Sequence, residues 1–169
     1  QVKPVTLEDF GGHYKNHLFP AFGDLPLSNI GVEEIQGFKS NKLNAGYKPQ
    51  TVVHLLRLLR QILSHAVDWG YLRKNPAIKV KYPPIAKSEM DCLTSDEVIR
   101  FLEAVPAKWY PFFLVAVTTG LRIGELLAMR WENIDWVNQR YFVKETLSRS
   151  RYGYKGGFTT PKTQGSATT

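Results

Sequence analysis

Residues 118–131 read Thr-Thr-Gly-Leu-Arg-Ile-Gly-Glu-Leu-Leu-Ala-Met-Arg-Trp, a stretch that sets one arginine, Arg122, three positions ahead of one carboxylate, Glu125. The apolar run over residues 111–117 predicts a buried helix, Gly120 predicts its end, and Arg122 then falls near the start of the next helix. A guanidinium among apolar neighbours is costly unless a carboxylate or phosphate compensates it. Glu125, one helical turn along, can hold the guanidinium fork in a fixed pose. The competing reading is a plain structural ion pair, common on helix surfaces, and the apolar surroundings weigh against it.

Around this stretch the sequence predicts a mainly helical domain carrying a small antiparallel sheet. Thr94-Ser95-Asp96-Glu97 has the spacing of a capping box, and Val98, Phe101 and Leu102 give the helix behind it an apolar face. After the Arg122 helix, residues 134–136 and 141–144 read as two strands of a hairpin turning at 137–139, with a third strand over 158–162. The stretch 149–157 mixes cations, aromatic residues and glycines and reads as a hairpin loop.

The first part of the chain reads as helical. Thr6 caps a helix to about residue 16, residues 19–26 are turn-rich, and Gly31-Val32-Glu33-Glu34 starts a second helix. A third helix over residues 49–70 has Leu55, Leu56, Leu59, Ile62, Leu63 and Ala66 at core spacing. Its other face carries His54, Arg57, Gln61 and Ser64, flanked by Lys48, Thr51 and Arg60, which by itself is an ordinary solvated stripe. Residues 76–92 change character: Pro76, Pro83 and Pro84 interrupt regular structure while Lys79, Lys81 and Lys87 keep the segment basic. The expected organisation is therefore a helical domain over 1–75, a basic proline-rich linker over 76–92 and a second domain over 93–169.

Composition narrows the function classes. The 169 residues hold 22 Lys and Arg against 15 Asp and Glu, a formal charge of +7 that favours polyanionic partners. No stretch approaches the roughly 18 apolar residues of a membrane span, so no membrane role is expected. The single Cys92 rules out an intrachain disulfide and a multi-cysteine zinc site, and with Asp91 beside it and no basic neighbour it is expected to be inert.

The wording of residues 119–135, Thr-Gly-Leu-Arg-Ile-Gly-Glu-Leu-Leu-Ala-Met-Arg-Trp-Glu-Asn-Ile-Asp, resembles the first catalytic-arginine box of the tyrosine recombinases, or phage integrase family. Other segments resemble the family in the same order: Phe22 to Leu27 with Ile30, then Asn75-Pro76-Ala77, then Leu93-Thr94 to Glu97-Val98, and finally Pro161-Lys162-Thr163. The resemblance implies a helical SAM-like core-binding domain followed by an incomplete α+β catalytic domain. It implies site-specific recombination of double-stranded DNA through a phosphotyrosine intermediate, with no metal and no other cofactor. Arg122 then grips the scissile phosphate, Glu125 orients it, and Lys162 protonates the leaving oxygen. Lys48, Thr51, Arg57 and Arg60 become phosphate or groove contacts, joined by Lys79 and Lys81 of the linker.

The chain also departs from the family. The His-x-x-Arg helix, the later His or Trp and the tyrosine nucleophile belong downstream of the lysine, and seven residues follow Lys162. His54-Leu55-Leu56-Arg57 spells that motif in the wrong place, and Tyr141, Tyr152 and Tyr154 precede the lysine. The expectation is an internal fragment, monomeric and inactive alone, of a parent that acts as a tetramer on DNA in the bacterial cytoplasm, associated with the nucleoid. The alternatives are a DNA-binding or architectural module without chemistry and a helical protein-interaction domain.

Overall fold

The computed structural model describes residues 4–86, 90–148, 156–160 and 167–168, without the side chains of 4, 5, 167 and 168. Within the chain, residues 1–88 and 89–169 form two compact units. Lys162, the linker's Lys87 and residues 149–155, with Tyr152 and Tyr154, lie outside the described residues.

The first unit begins with a continuous helical path: α1 (Pro4–His13), a wide π turn (Tyr14–Leu18) and α2 (Phe19–Phe22). The sequence reading makes residues 19–26 turns because of Pro20, Gly23 and Pro26. The helix instead continues to Phe22, since the wide turn bonds Phe19 N to the Tyr14 carbonyl and Pro20, which has no N–H to give, follows directly. Helix α3 (Val32–Asn44) opens where Glu34 accepts from the Gly31 amide at 2.9 Å, and α4 spans Pro49–Asp68. A 3-10 turn follows at Pro76–Lys79.

The core of this unit gathers Leu18, Phe22, Ile35, Phe38, Val52, Leu55, Leu59 and Leu63, with the Phe22 and Phe38 rings 5.1 Å apart. Five of the six expected core positions of α4 are buried. Ile62 is 36 % exposed, because it lies at the rim of the apolar stripe. Ala77 and Val80 join the same core, so the segment after residue 75 begins as packed structure, not as a tether. Asn75 fixes it there: its side chain donates to the Arg60 carbonyl and to Ser64 Oγ, both at 2.8 Å, and accepts from Ala77 N. Further along, Lys39 Nζ donates to the Lys81 carbonyl at 3.3 Å.

The second unit carries α5 (Ser95–Ala104), α6 (Tyr110–Thr119), the short α7 (Ile123–Leu126) and a 3-10 turn at Trp131–Asn133. The capping box forms as read: Glu97 accepts from Thr94 N at 2.8 Å and Glu97 N donates to Thr94 Oγ1 at 3.4 Å. The Thr94 amide first, and then the Thr94 hydroxyl, which donates to the same carboxylate oxygen at 3.0 Å, hold the Glu97 carboxyl below its ordinary range. The expected hairpin is β1 (Ile134–Asp135) against β2 (Arg140–Phe142), antiparallel with Ile134 opposite Tyr141. Strand β5 (Ala167–Thr168) joins the other edge of β2, and β3 (Thr146–Ser148) pairs with β4 (Gly157–Thr159) in a separate two-stranded sheet. The fold is thus mainly helical with two small antiparallel sheets, one more than the sequence predicts.

One expectation for this unit is corrected. Residues 111–117 read as a buried helix, yet no side chain of α6 is fully buried, because the described neighbours cover only part of it. Among the described residues, no helix is long and apolar enough to cross a membrane.

Candidate functional site

Local chain chemistry fixes Arg122. Helix α6 ends on Gly120, whose φ of +63° is the left-handed conformation that closes a helix at low cost in glycine. Arg122 then turns extended (φ −65°, ψ 148°) as the residue before α7, and its carbonyl accepts from Glu125 N and Leu126 N, both at 2.9 Å. The glutamate closes the loop from the other side. Its Oε2 accepts from Arg122 N at 3.1 Å and its Oε1 from Arg122 Nη1 at 3.0 Å.

Burial is divided unequally between the two. The glutamate side chain is 6 % exposed and the arginine side chain 66 % exposed. The sequence leads one to expect a guanidinium enclosed by apolar residues; the structure buries the carboxylate instead, and Arg122, the residue before α7, keeps most of its side chain in solvent. One guanidinium nitrogen is held while most of the fork faces solvent. That arrangement suits a phosphate, whose oxygens match the planar donors.

Close packing holds α7 in place. A β-carbon at Gly124 would stand 2.5 Å from Thr146 Oγ1 and 2.8 Å from the Leu147 carbonyl oxygen, so β3 lies directly against the turn carrying Arg122. Beneath it the unit has a partly polar interior: Leu126, Ala128 and Tyr141 are buried together with Glu125 and Asn133. Burial pushes the Tyr141 hydroxyl above the ordinary phenol range, with Glu145 and Glu125 adding to the shift and Arg130 opposing it. Arg130 is itself tied to Glu145, Nη2 to Oε2 at 2.9 Å, and lies over the Phe158 ring at 5.3 Å.

The residues expected to contact DNA fall in the first unit, and they do not form one cluster. Lys48 is the exposed residue before α4, and Lys79 and Lys81 are exposed. Arg57 and Arg60 lie about 60° apart around α4, whereas Thr51 is about 120° from Arg57 on the far side and half-buried. Asn75 donates to the Arg60 carbonyl, and Arg57 lies 5.8 Å from the Tyr82 ring centroid, so both ends of the stretch from Asn75 to Tyr82 meet α4. Sequence reasoning passed over Asn75 and Tyr82 as parts of this surface. An asparagine directly before a proline was the available signal, since its side chain caps the turn that follows.

Charge is as uneven as burial. Residues 1–88 hold 12 Lys and Arg against six Asp and Glu, so +6 of the total +7 lies there.

Comparison with known proteins bears on this geometry. Residues 91–158 match the Phage integrase family. The chain is 31 % identical over 156 residues to a tyrosine recombinase XerC-like protein of Caldanaerobacter subterraneus subsp. tengcongensis, covering 87 % of this chain and 40 % of the relative. It is 29 % identical to the ICEBs1 integrase of Bacillus subtilis, covering 89 % and 41 %. The chain therefore spans about two fifths of the length of these curated relatives. Among solved structures, the Tn1549 transposon integrase in complex with a circular intermediate DNA superposes with a TM-score of 0.82 at 22 % identity, covering 97 % of this chain and 54 % of that one. A lambda integrase dimer bound to a core site gives a TM-score of 0.67 at 21 % identity, covering 95 % and 44 %. With the Arg122 turn inside the matched residues and this fold on both units, the chain belongs to the tyrosine recombinases of the phage integrase family.

Proposed function

We propose that these residues are part of a site-specific recombinase that cuts and rejoins DNA strands through a 3′-phosphotyrosine intermediate. The observation that carries the reading is the presentation of Arg122, whose guanidinium is anchored at one nitrogen by a buried carboxylate and otherwise open to solvent. Attack on a phosphodiester needs charge relief at the non-bridging oxygens, an in-line nucleophile and an acid for the departing oxygen. Arg122 supplies the first and Glu125 positions it. Lys162 supplies the proton to the leaving 5′ oxygen, a role resting on the wording of residues 161–163 alone. Double-stranded DNA is the partner, engaged by Lys48, Thr51, Arg57, Arg60, Lys79 and Lys81, in keeping with the charge on residues 1–88. No cofactor enters the scheme. The assembled enzyme works as a tetramer on nucleoid DNA, while the 169-residue chain is a monomer that binds duplex without cleaving it.

The test is Arg122→Lys in a polypeptide that carries the tyrosine. Cleavage of a nicked suicide substrate should fall by about a hundredfold or more while duplex affinity stays within about twofold, because a point charge cannot reproduce bidentate contact. Unimpaired cleavage removes Arg122 from the reaction. Lys162→Ala should slow cleavage and recover on a substrate whose leaving oxygen is replaced by sulfur; failure to recover refutes the acid role.

A further inference from the structure

We propose that the exposed rings of His65, Trp69 and Tyr71 form a stacking platform for unpaired bases of DNA. The inference rests on the DNA-handling role proposed above and adds the state of the DNA engaged.

The platform is built by the end of α4. His65 and Trp69 stand one turn apart, and their rings stack at 5.8 Å with 26° between planes. Gly70, at φ +80°, then turns the chain back, with Gly70 N bonded to the Val67 carbonyl at 3.0 Å and Tyr71 N to the Ala66 carbonyl at 2.8 Å. The reversal sets the Tyr71 ring edge-on to Trp69 at 6.5 Å. These rings pack on one another and not into the core: Trp69 is 73 % exposed and Tyr71 69 % exposed.

What would cover them must offer flat aromatic faces and negative charge. Arg73 and Lys74, both exposed, follow immediately, and Asp68 is engaged by His65 Nδ1 at 3.8 Å. A nucleobase with its phosphate meets both demands, since stacking tolerates any base and the cations track the backbone. In an intact duplex both faces of each base are already stacked, so the platform selects bases released from pairing. His65 lies about 80° around α4 from Arg57 and two turns further on, which separates this surface from the arginine face.

Fluorescence anisotropy on the 169-residue chain, with a paired duplex and the same duplex carrying a central bubble, tests the inference. The wild type should prefer the bubble by about fivefold or more. Trp69→Ala with Tyr71→Ala should bring bubble affinity to the duplex level and leave duplex affinity unchanged, while Trp69→Phe keeps most of the preference; circular dichroism checks that each variant folds. Equal binding of both probes by the wild type overturns the platform alone, and binding of neither overturns the DNA-handling reading with it. A wild type that self-associates in sedimentation through these rings, without bubble preference, assigns the face to a second copy and also overturns the proposal.

Discussion

Removing the Arg122 side chain should strand the carboxylate it compensates. Glu125 is 6 % exposed, and in Arg122→Ala it keeps the backbone amide of residue 122 but loses the Nη1 bond of 3.0 Å. An exposed ion pair contributes about 0–1 kcal/mol, and breaking a fully buried one costs about 3–5 kcal/mol because a charge is left alone. With one partner buried and the other two-thirds exposed, a cost of about 2 kcal/mol is expected. In urea, a slope of about 1–2 kcal/mol per molar for a unit of this size turns that into a midpoint lowered by about 1–2 M. Tryptophan fluorescence reports on the correct unit, since Trp109, Trp131 and Trp136 lie in it and Trp69 does not. Adding Glu125→Gln to Arg122→Ala removes the stranded charge and should recover at least about half of the loss. Two results refute the reasoning: Arg122→Ala within about 0.5 kcal/mol of wild type, or a double variant no more stable than Arg122→Ala.

Arg57→Ala and Arg60→Ala should each weaken duplex binding and lower the slope of log affinity against log salt by about one; an unchanged slope returns that face to plain solvent. Gly124→Ala should destabilise the second unit by about 1–3 kcal/mol, because the new methyl group meets Thr146 and the Leu147 backbone, and a stability equal to wild type would show that β3 can yield. The His17 imidazole is held below its ordinary value of 6.5, first by burial and then by Lys42 and His13. Its neutral form therefore belongs to the folded state, so its contribution is complete above pH 6.5 and is lost as pH falls through the lowered value. Urea midpoints of His17→Gln should then fall less than those of wild type between pH 7 and pH 5, and parallel curves would exclude His17 as the cause.

Long periodic segments and capping chemistry were legible in the sequence, because each is decided locally. Leu55, Leu56, Leu59, Leu63 and Ala66 announce α4, Thr94 with Glu97 announces the start of α5, and Gly120 the end of α6. What escaped depends on partners distant in sequence or on non-standard turns. Pro20 reads as a breaker unless the wide turn before it is known, and β3, Thr146-Leu147-Ser148, is too short a run for its alternation to stand out. At the site, the pairing of Arg122 with Glu125 was legible from spacing. Which of the two is buried was not, since that depends on the interior around Asn133 and Tyr141, assembled from segments 10 to 20 residues further on.

The unequal burial of Arg122 and Glu125 has a consequence for ionic strength. Mobile ions reach the outward guanidinium and damp its pull on a polyanion, but they do not enter the protein around the carboxylate. Concentrated salt should therefore release bound nucleic acid long before it loosens the anchor. On the function proposed above, the grip would be switched off by its surroundings and on again without being rebuilt.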